Sequence, residues 1–176
     1  MTGKITELDE TIIPTEVDLF EVVQTPTSPV NKKITLANIR KLTAIPNLDH
    51  TVSGTICVFN ANETHNFGDV CYIGSDGQTH LIDADAIANM SGICMCADES
   101  ISADADGNYL LLGFARNDTW DWTVGGLIYG TVTGTTGNTL SQTAPTGTDD
   151  VVQIMGVATH ADRMYFNPQL VQVEHI

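Results

Sequence analysis

Basic residues are scarce in this chain. Seven Lys and Arg stand against 22 Asp and Glu in 176 residues, a formal net charge of −15. Five of the seven (Lys4, Lys32, Lys33, Arg40, Lys41) lie in the first 41 residues, where six acids (Glu7, Asp9, Glu10, Glu16, Asp18, Glu21) nearly balance them. Beyond that point only Arg116 and Arg163 face 16 acids. A body with that balance repels phosphate backbones, so nucleic acid is not an expected partner. The acids read first as a solubility device. No stretch reaches the ~18 consecutive apolar residues of a membrane helix. Met1-Thr2-Gly3-Lys4 leads into acidic, β-branched sequence rather than the apolar core of a secretory signal. The expectation is a soluble protein made in a cytoplasm, without a membrane partner.

Catalytic signatures are missing too. There is no G-x-S-x-G elbow, no glycine-rich phosphate loop and no H-E-x-x-H. Asp83 with Asp85, and Asp104 with Asp106, could pose as paired carboxylates, but acids two apart in turn sequence read as solvated loop charges. The expectation is a protein that is not an enzyme and needs no cofactor.

Metal-ligand spacing is equally poor. Zinc sites pair their ligands as C-x₂₋₄-C and H-x₃₋₅-H, whereas Cys94-Met95-Cys96 is C-x-C in a strand-like run and His50, His65, His80, His160 and His175 are scattered. Cys57, Cys71, Cys94 and Cys96 are therefore expected to be buried free thiols, the last two on one strand face. Asp104-Ala-Asp106-Gly107-Asn108 begins like a calcium loop. With Gly107 at the sixth position, however, the twelfth falls on Gly113, where a bidentate glutamate is required. The better reading is a hairpin tip, for which Asp-Gly or Gly-Asn between apolar runs suffices.

What the chain does contain is short β-branched runs punctuated by turn residues. Residues 1–50 are broken by Pro14, Pro26, Pro29 and Pro46. Residues 18–24 alternate like a strand, 33–36 like a hairpin partner across TPTSPVN, and 36–42 place Leu36, Ile39 and Leu42 on one face of a short helix. So small a segment cannot bury a core alone, so it should be completed by the body, by other copies or by a larger partner. Its apolar residues Ile5, Leu8, Leu19, Phe20, Val22, Ile34, Leu36, Ile39 and Leu42 are the expected contact set.

From residue 51 to 176, strands are predicted at 54–60, 68–73, 79–82, 92–97, 108–115, 126–132, 151–158, 163–166 and 170–173, with a turn at Ser75-Asp76-Gly77 and a short helix over 83–90. Residues 130–150, rich in Gly, Thr and Ser, read as a long loop or loose hairpin. The predicted fold is mainly β: a small antiparallel β-barrel or sandwich body behind an extended N-terminal arm with a β-hairpin and short helix. Thr119-Trp120-Asp121-Trp122 adds one feature of chemical interest. Trp120 and Trp122 either stack on a sugar-like ligand or serve as core or interface aromatics.

Several phrases carry a resemblance. Asp18-Leu-Phe-Glu-Val-Val-Gln24 followed by Asn31-Lys-Lys-Ile-Thr-Leu-Ala-Asn-Ile39 resembles the short amino-terminal module of tailed-bacteriophage fibre and virion structural proteins. Gly113-Phe-Ala-Arg-Asn-Asp-Thr-Trp120, Gln142-Thr-Ala-Pro-Thr-Gly147 and Ala161-Asp-Arg-Met-Tyr-Phe-Asn-Pro168 resemble head-decoration and head-fibre bodies. The resemblance implies a virion location and a homotrimer. It implies a surface decoration or head-fibre subunit docking on capsid proteins through its arm, or else a tail fibre or adhesin whose loops bind a host receptor or glycan.

Overall fold

The computed structural model describes residues 19–24, 30–35 and 45–175. The chain divides into two units, Met1–Ala44 and Ile45–Ile176. In the first, β1 (Leu19–Gln24) and β2 (Val30–Thr35) pair antiparallel. Phe20 stands opposite Ile34, and Val22 opposite Lys32. The short helix expected at 36–42 lies outside the described residues, as do Ile5, Leu8, Leu36, Ile39 and Leu42.

The second unit is mainly β, built on one curled antiparallel half-barrel sheet. Its longest strands are β3 (Thr51–Asn60) and β9 (Asp106–Arg116), paired along their whole length. The strands β4 (His65–Asn66), β5 (Val70–Ile73), β6 (Thr79–Leu81), β7 (Cys94–Cys96) and β8 (Ser100–Ile101) lie between them in sequence. After them come β10 (Leu127–Gly130), β11 (Leu140–Ser141), β12 (Val151–Val152), β13 (Ile154–His160), β14 (Arg163–Phe166) and β15 (Val173–Glu174). The main sheet runs β11-β10-β13-β14-β9-β7-β5-β6, with β3 on the other edge of β9. Two small pairs, β4 with β8 and β12 with β15, complete the body.

β9 is the organising strand because its two halves pair with different partners. Gly113 to Arg116 pair with β14, and Tyr109 and Leu110 pair with β7. The bend this requires sits where Gly54 and Gly113 face each other at φ +150° and +149°. A Cβ on Gly113 would lie 2.1 Å from the Ser53 carbonyl oxygen, and one on Gly54 2.0 Å from that of Leu112. Only glycine lets the backbones approach so closely. Directly beyond, the register slips between Thr55 and Ile56, leaving Leu111 as an extra residue on β9. A bulge of this kind re-aims every following side chain. In a regular strand Leu110 and Ala115 would point to opposite faces; here both enter the same core.

That larger core joins Val70, Met95 and Leu110 to Ile128, Met155, Met164 and Phe166. Strands far apart in the sheet order thus share one cluster, which is what the curl accomplishes. Segment 82–92 crosses the core: the Ala84 N–H donates to the Thr131 carbonyl, and the Val151 N–H to that of Ala84. Buried Gln153 fastens the same segment, donating to the Gly92 carbonyl at 2.9 Å and accepting from the Gly92 N–H at 3.1 Å. A second cluster gathers Cys71, Cys94, Cys96, Tyr109, Leu81 and Ile101. Alternate residues of β5, β7 and β9 feed the two clusters, so this part of the sheet is buried on both faces.

Several expectations are corrected. Cys71, Cys94 and Cys96 are buried free thiols, with Cys94 and Cys96 in one cluster, but Cys57 on β3 is exposed. Residues 83–90 form no helix beyond a single 3₁₀ turn at Ile87–Asn89. The Asp83 side chain instead accepts from the Asp85 N–H in a local turn, a conformation that competes with helix. Residues 170–172 are not strand; only Val173–Glu174 pair, with β12. Asp106 and Gly107 are not a hairpin tip but the first residues of β9, and the reversal occurs earlier, where the Ala105 N–H meets the Ser102 carbonyl. Gly107 packs tightly against Ile101: a Cβ there would fall 2.2 Å from Ile101 Cδ1, so that side chain would have to shift.

Gly113→Ala is expected to lower unfolding free energy by about 3 kcal/mol or more, because backbone must move to accommodate the methyl group. Gly77→Ala, at φ +83° but with nothing within 4 Å of the new Cβ, should cost about 1 kcal/mol. Urea unfolding of both variants checks the order; equal losses would remove the special status of the crossing.

Candidate functional site

The two arginines of the body determine where the site begins. Arg116 binds Asp118 through Nε and Asp162 through Nη2, both at 2.7 Å, and its Nη1 donates to the Asn47 carbonyl. Arg163 donates to the Pro46 carbonyl, and Asp49 Oδ1 accepts from the Asp118 N–H at 2.7 Å. Residues 46–49 are thereby pinned to the ends of β9 and β14. The next residue, His50, takes a left-handed φ of 47° and stacks on Phe67, with ring centroids 4.8 Å apart. Its Nδ1 lies 2.6 Å from Glu99 Oε2.

Beside this pair the loop after β9 carries the tryptophans. Asn117 is buried, and its side-chain oxygen accepts from both the N–H and the hydroxyl of Thr119. Its carbonyl takes the Trp120 N–H, closing a turn of the kind Asn favours. The Trp122 N–H donates to the Ala161 carbonyl. The two indoles meet at 5.5 Å between centroids, tilted by 45°. Gly68, at φ +90°, lies under Trp120: a Cβ there would be 3.0 Å from the indole Cζ2. Both rings pack against the larger core. The Trp122 Nε1–H is buried with no hydrogen-bond partner among the described residues.

The opposite wall is the Gly/Thr-rich segment, which is pinned rather than loose. Its Gly137 N–H donates to Asp69 Oδ1 at 2.7 Å, the Thr139 hydroxyl accepts from the Val70 N–H, and the Thr136 hydroxyl donates to the Thr64 carbonyl. Asp69, 1% exposed, also accepts from the Asn66 N–H at 2.8 Å. Burial pushes its carboxyl up to about 6; the two backbone N–H donors act against that rise, and the charge of Glu63 adds to it.

Together these groups line a cleft of about 640 Å³, bounded by the two indoles, His50 with Phe67, Asp69, Glu99, and the polar side chains of Asn117, Thr119 and Thr139. Such a volume is ordinary for a small-molecule site. Its walls combine aromatic surface with acceptor oxygens, and neither Arg116 nor Arg163 reaches it. The chemistry on offer is stacking and hydrogen bonding. The carboxyl pairs considered from sequence are elsewhere: Asp104 and Asp106 both receive hydrogen bonds from the Asn60 amide, through a backbone and a side-chain oxygen respectively.

Of the predicted site residues the structure brings Trp120 and Trp122 into this cleft. Leu19, Phe20, Val22 and Ile34 lie on the separate hairpin. His50, Phe67, Asp69, Glu99 and Asn117 were not anticipated. Asp69 and Trp120 are distant in sequence, and only the fold joins them. The one local signal was Asn117 two residues before a threonine. Compared with protein-family models, with curated proteins and with solved structures, the chain matches none.

A second buried polar group lies in the smaller core. The Tyr109 hydroxyl is 2.8 Å from both His65 Nδ1 and Thr79 Oγ1. Burial holds His65 below its usual range; with Thr79 donating to the phenol oxygen, the Tyr109 hydroxyl donates in turn to Nδ1 of the neutral ring. Fully buried, this group serves packing specificity.

Asp69 makes the cleft sensitive to pH. The native carboxyl keeps its proton up to about 6, whereas the unfolded chain loses it near 3.8, so the native state binds more protons between these values. The stability associated with the neutral form is complete below the unfolded value and is lost as pH rises through the folded one, by about 3 kcal/mol. Carboxyl-detected NMR should give a midpoint near 6, and Asp69→Asn should abolish this component of the pH dependence. A midpoint under the ordinary aspartate value would contradict the assignment.

Proposed function

We propose that this chain is a structural subunit of a tailed-bacteriophage virion, of the surface-decoration or head-fibre type, docking on capsid proteins through its N-terminal arm and presenting the acidic β-body to solvent. Support for the virion comes from the phrases quoted above. Support for life in an assembly comes from strand β3. That strand pairs with β9 alone among the described residues, leaving its outer edge free. Its ten residues, TVSGTICVFN, carry no charge in a chain with 22 acids. Ile56 is 44% and Val58 63% exposed, and Leu112 stands exposed across the ladder.

An uncharged, β-branched free edge is a template for pairing, and isolated proteins usually blunt such edges with Lys, Pro or a bulge. Here the edge is also where two copies can meet without bringing carboxylates together. Pairing through β3 would continue the half-barrel sheet into a neighbour, which is the route by which the body could complete a barrel or sandwich. A closed ring of three copies satisfies every such edge when each β3 pairs with a different sheet edge of its neighbour, a heterologous contact that fits the homotrimer expectation. Many weak arm contacts would then add by multivalency on a symmetric shell.

A second reading has a specific observation in its favour. The aromatic cleft around Trp120 and Trp122 suits a tail fibre or adhesin that binds a host receptor or glycan. Copy number separates the two: on the order of hundreds of chains per particle for decoration, a handful for a tail position.

Mass spectrometry of purified particles should find the chain at decoration stoichiometry; its absence from every particle would end the virion reading. Deleting residues 1–45 should leave a folded body that no longer joins the particle, and normal incorporation of the truncated chain would contradict docking through the arm. Val58→Lys should shift the protein to monomer in analytical ultracentrifugation while leaving its far-UV circular dichroism unchanged. An unaltered oligomer would exclude the β3 edge.

A further inference from the structure

We propose that the cleft beside β9 binds an uncharged saccharide ring, and that it selects against acidic sugars. The inference deepens the adhesin reading and rests on the cleft being a ligand site. A pyranose has two kinds of surface: patches of axial C–H groups that are apolar, and a rim of hydroxyls that both donate and accept. The cleft presents a counterpart to each.

Trp120 and Trp122 supply broad, rigid apolar faces. They are held in place by the Asn117 turn, by the backbone under Trp120 at Gly68, and by the Trp122 N–H bond to Ala161. A platform ordered before binding costs little entropy when a ligand arrives. For the rim, exposed Glu99 offers carboxyl oxygens with lone pairs beyond the contact to His50, and exposed Thr119 adds a hydroxyl; Asp69, Asn117 and Thr139, buried and already hydrogen-bonded within the protein, form the wall behind them. The buried Trp122 Nε1–H is a donor without a partner among the described residues, in a ring that lines the cleft. A ligand oxygen reaching it would remove the cost of an unmade hydrogen bond.

Charge decides the class of saccharide. Two acids line the cleft, and among the described residues the one lining side chain able to carry positive charge, His50, already faces Glu99. Arg116 is held by Asp118 and Asp162, and Arg163 by the Pro46 carbonyl. A ligand carboxylate, sulfate or phosphate would come near the charges of Glu99 and, behind it, Asp69, with no cation among the described lining residues free to offset them. The opposite choice, a quaternary ammonium, would use the aromatic faces but leave the hydroxyl of the rim without work. A neutral polyol ring uses both.

The experiment is a titration of the full chain with maltotriose, lactose and chitotriose, with sialyllactose as the acidic probe and choline as the cationic one. It is followed by saturation-transfer NMR and intrinsic tryptophan fluorescence. At least one neutral probe should bind and perturb the fluorescence, with sialyllactose weaker by about tenfold or more, corresponding to about 1.4 kcal/mol. Trp120→Ala should abolish binding. Trp120→Phe, which keeps apolar packing should the alanine variant fail to fold, should weaken it. Glu99→Gln, at an exposed position, should narrow the gap between neutral and acidic probes. Tighter binding of sialyllactose or choline, binding of no saccharide by the folded native chain, or full binding by folded Trp120→Ala would each overturn the proposal. Sugar binding by a chain found at decoration copy number would remove the tail-side reading and leave this inference standing. A tail location without sugar binding would do the reverse.

Discussion

The close crossing of β3 and β9 at Gly54 and Gly113 sets the geometry on which the rest of the body depends. At that point each backbone occupies the space where the other residue's Cβ would be, so the two strands can bend together without parting. The adjacent extra residue, Leu111, then shifts the side-chain phase of β9. One half of the strand can therefore continue the β14–β13–β10 side of the sheet while the other joins β7 and β5. Without the crossing β9 would be a straight strand with one core face. With it, a single strand serves a curled sheet and two hydrophobic clusters.

The cleft is a consequence of that bend. The loop leaving β9 carries Asn117, Trp120 and Trp122, and the Arg116 at the strand's end holds the incoming chain so that His50 is delivered beside Phe67. Both arginines of an otherwise acidic body are consumed in this joint, through Asp118, Asp162 and the carbonyls of Pro46 and Asn47. Charge scarcity thus has a structural outcome: among the described residues neither Arg116 nor Arg163 reaches the cleft, whose charged side chains are acids apart from His50. Asp69 completes the arrangement by tying the Gly/Thr-rich segment to the turn before β5, at the cost of a carboxyl held partly desolvated.

The same composition explains the contrast between the body's faces and its free edge. Most of the surface is repulsive toward another copy at neutral pH, because like charges lie within a screening length of one another. Strand β3 is the exception, since it carries no charge and exposes Ile56 and Val58. If copies pair through β3 as proposed, association and solubility would fall to different parts of one small sheet.

How much of this was legible in the primary structure follows from the range of the forces involved. Alternation and turn residues are local, and they located most strands: 163–166 coincides with β14, and the Ser75-Asp76-Gly77 turn joins β5 to β6. Charge segregation and the buried thiols of Cys71, Cys94 and Cys96 were likewise read from residue types alone. The exposed Cys57, the lost helix at 83–90 and the role of Gly107 were not, because each depends on what a distant segment places beside it. The cleft belongs to the same class: Asp69, Glu99 and His50 acquire meaning only when the Gly54–Gly113 bend and the arginine joint carry them to the indoles. Local pattern determined a mainly β, acidic chain with a separate leading segment; which residues meet was decided by long-range backbone packing, which no neighbouring sequence encodes.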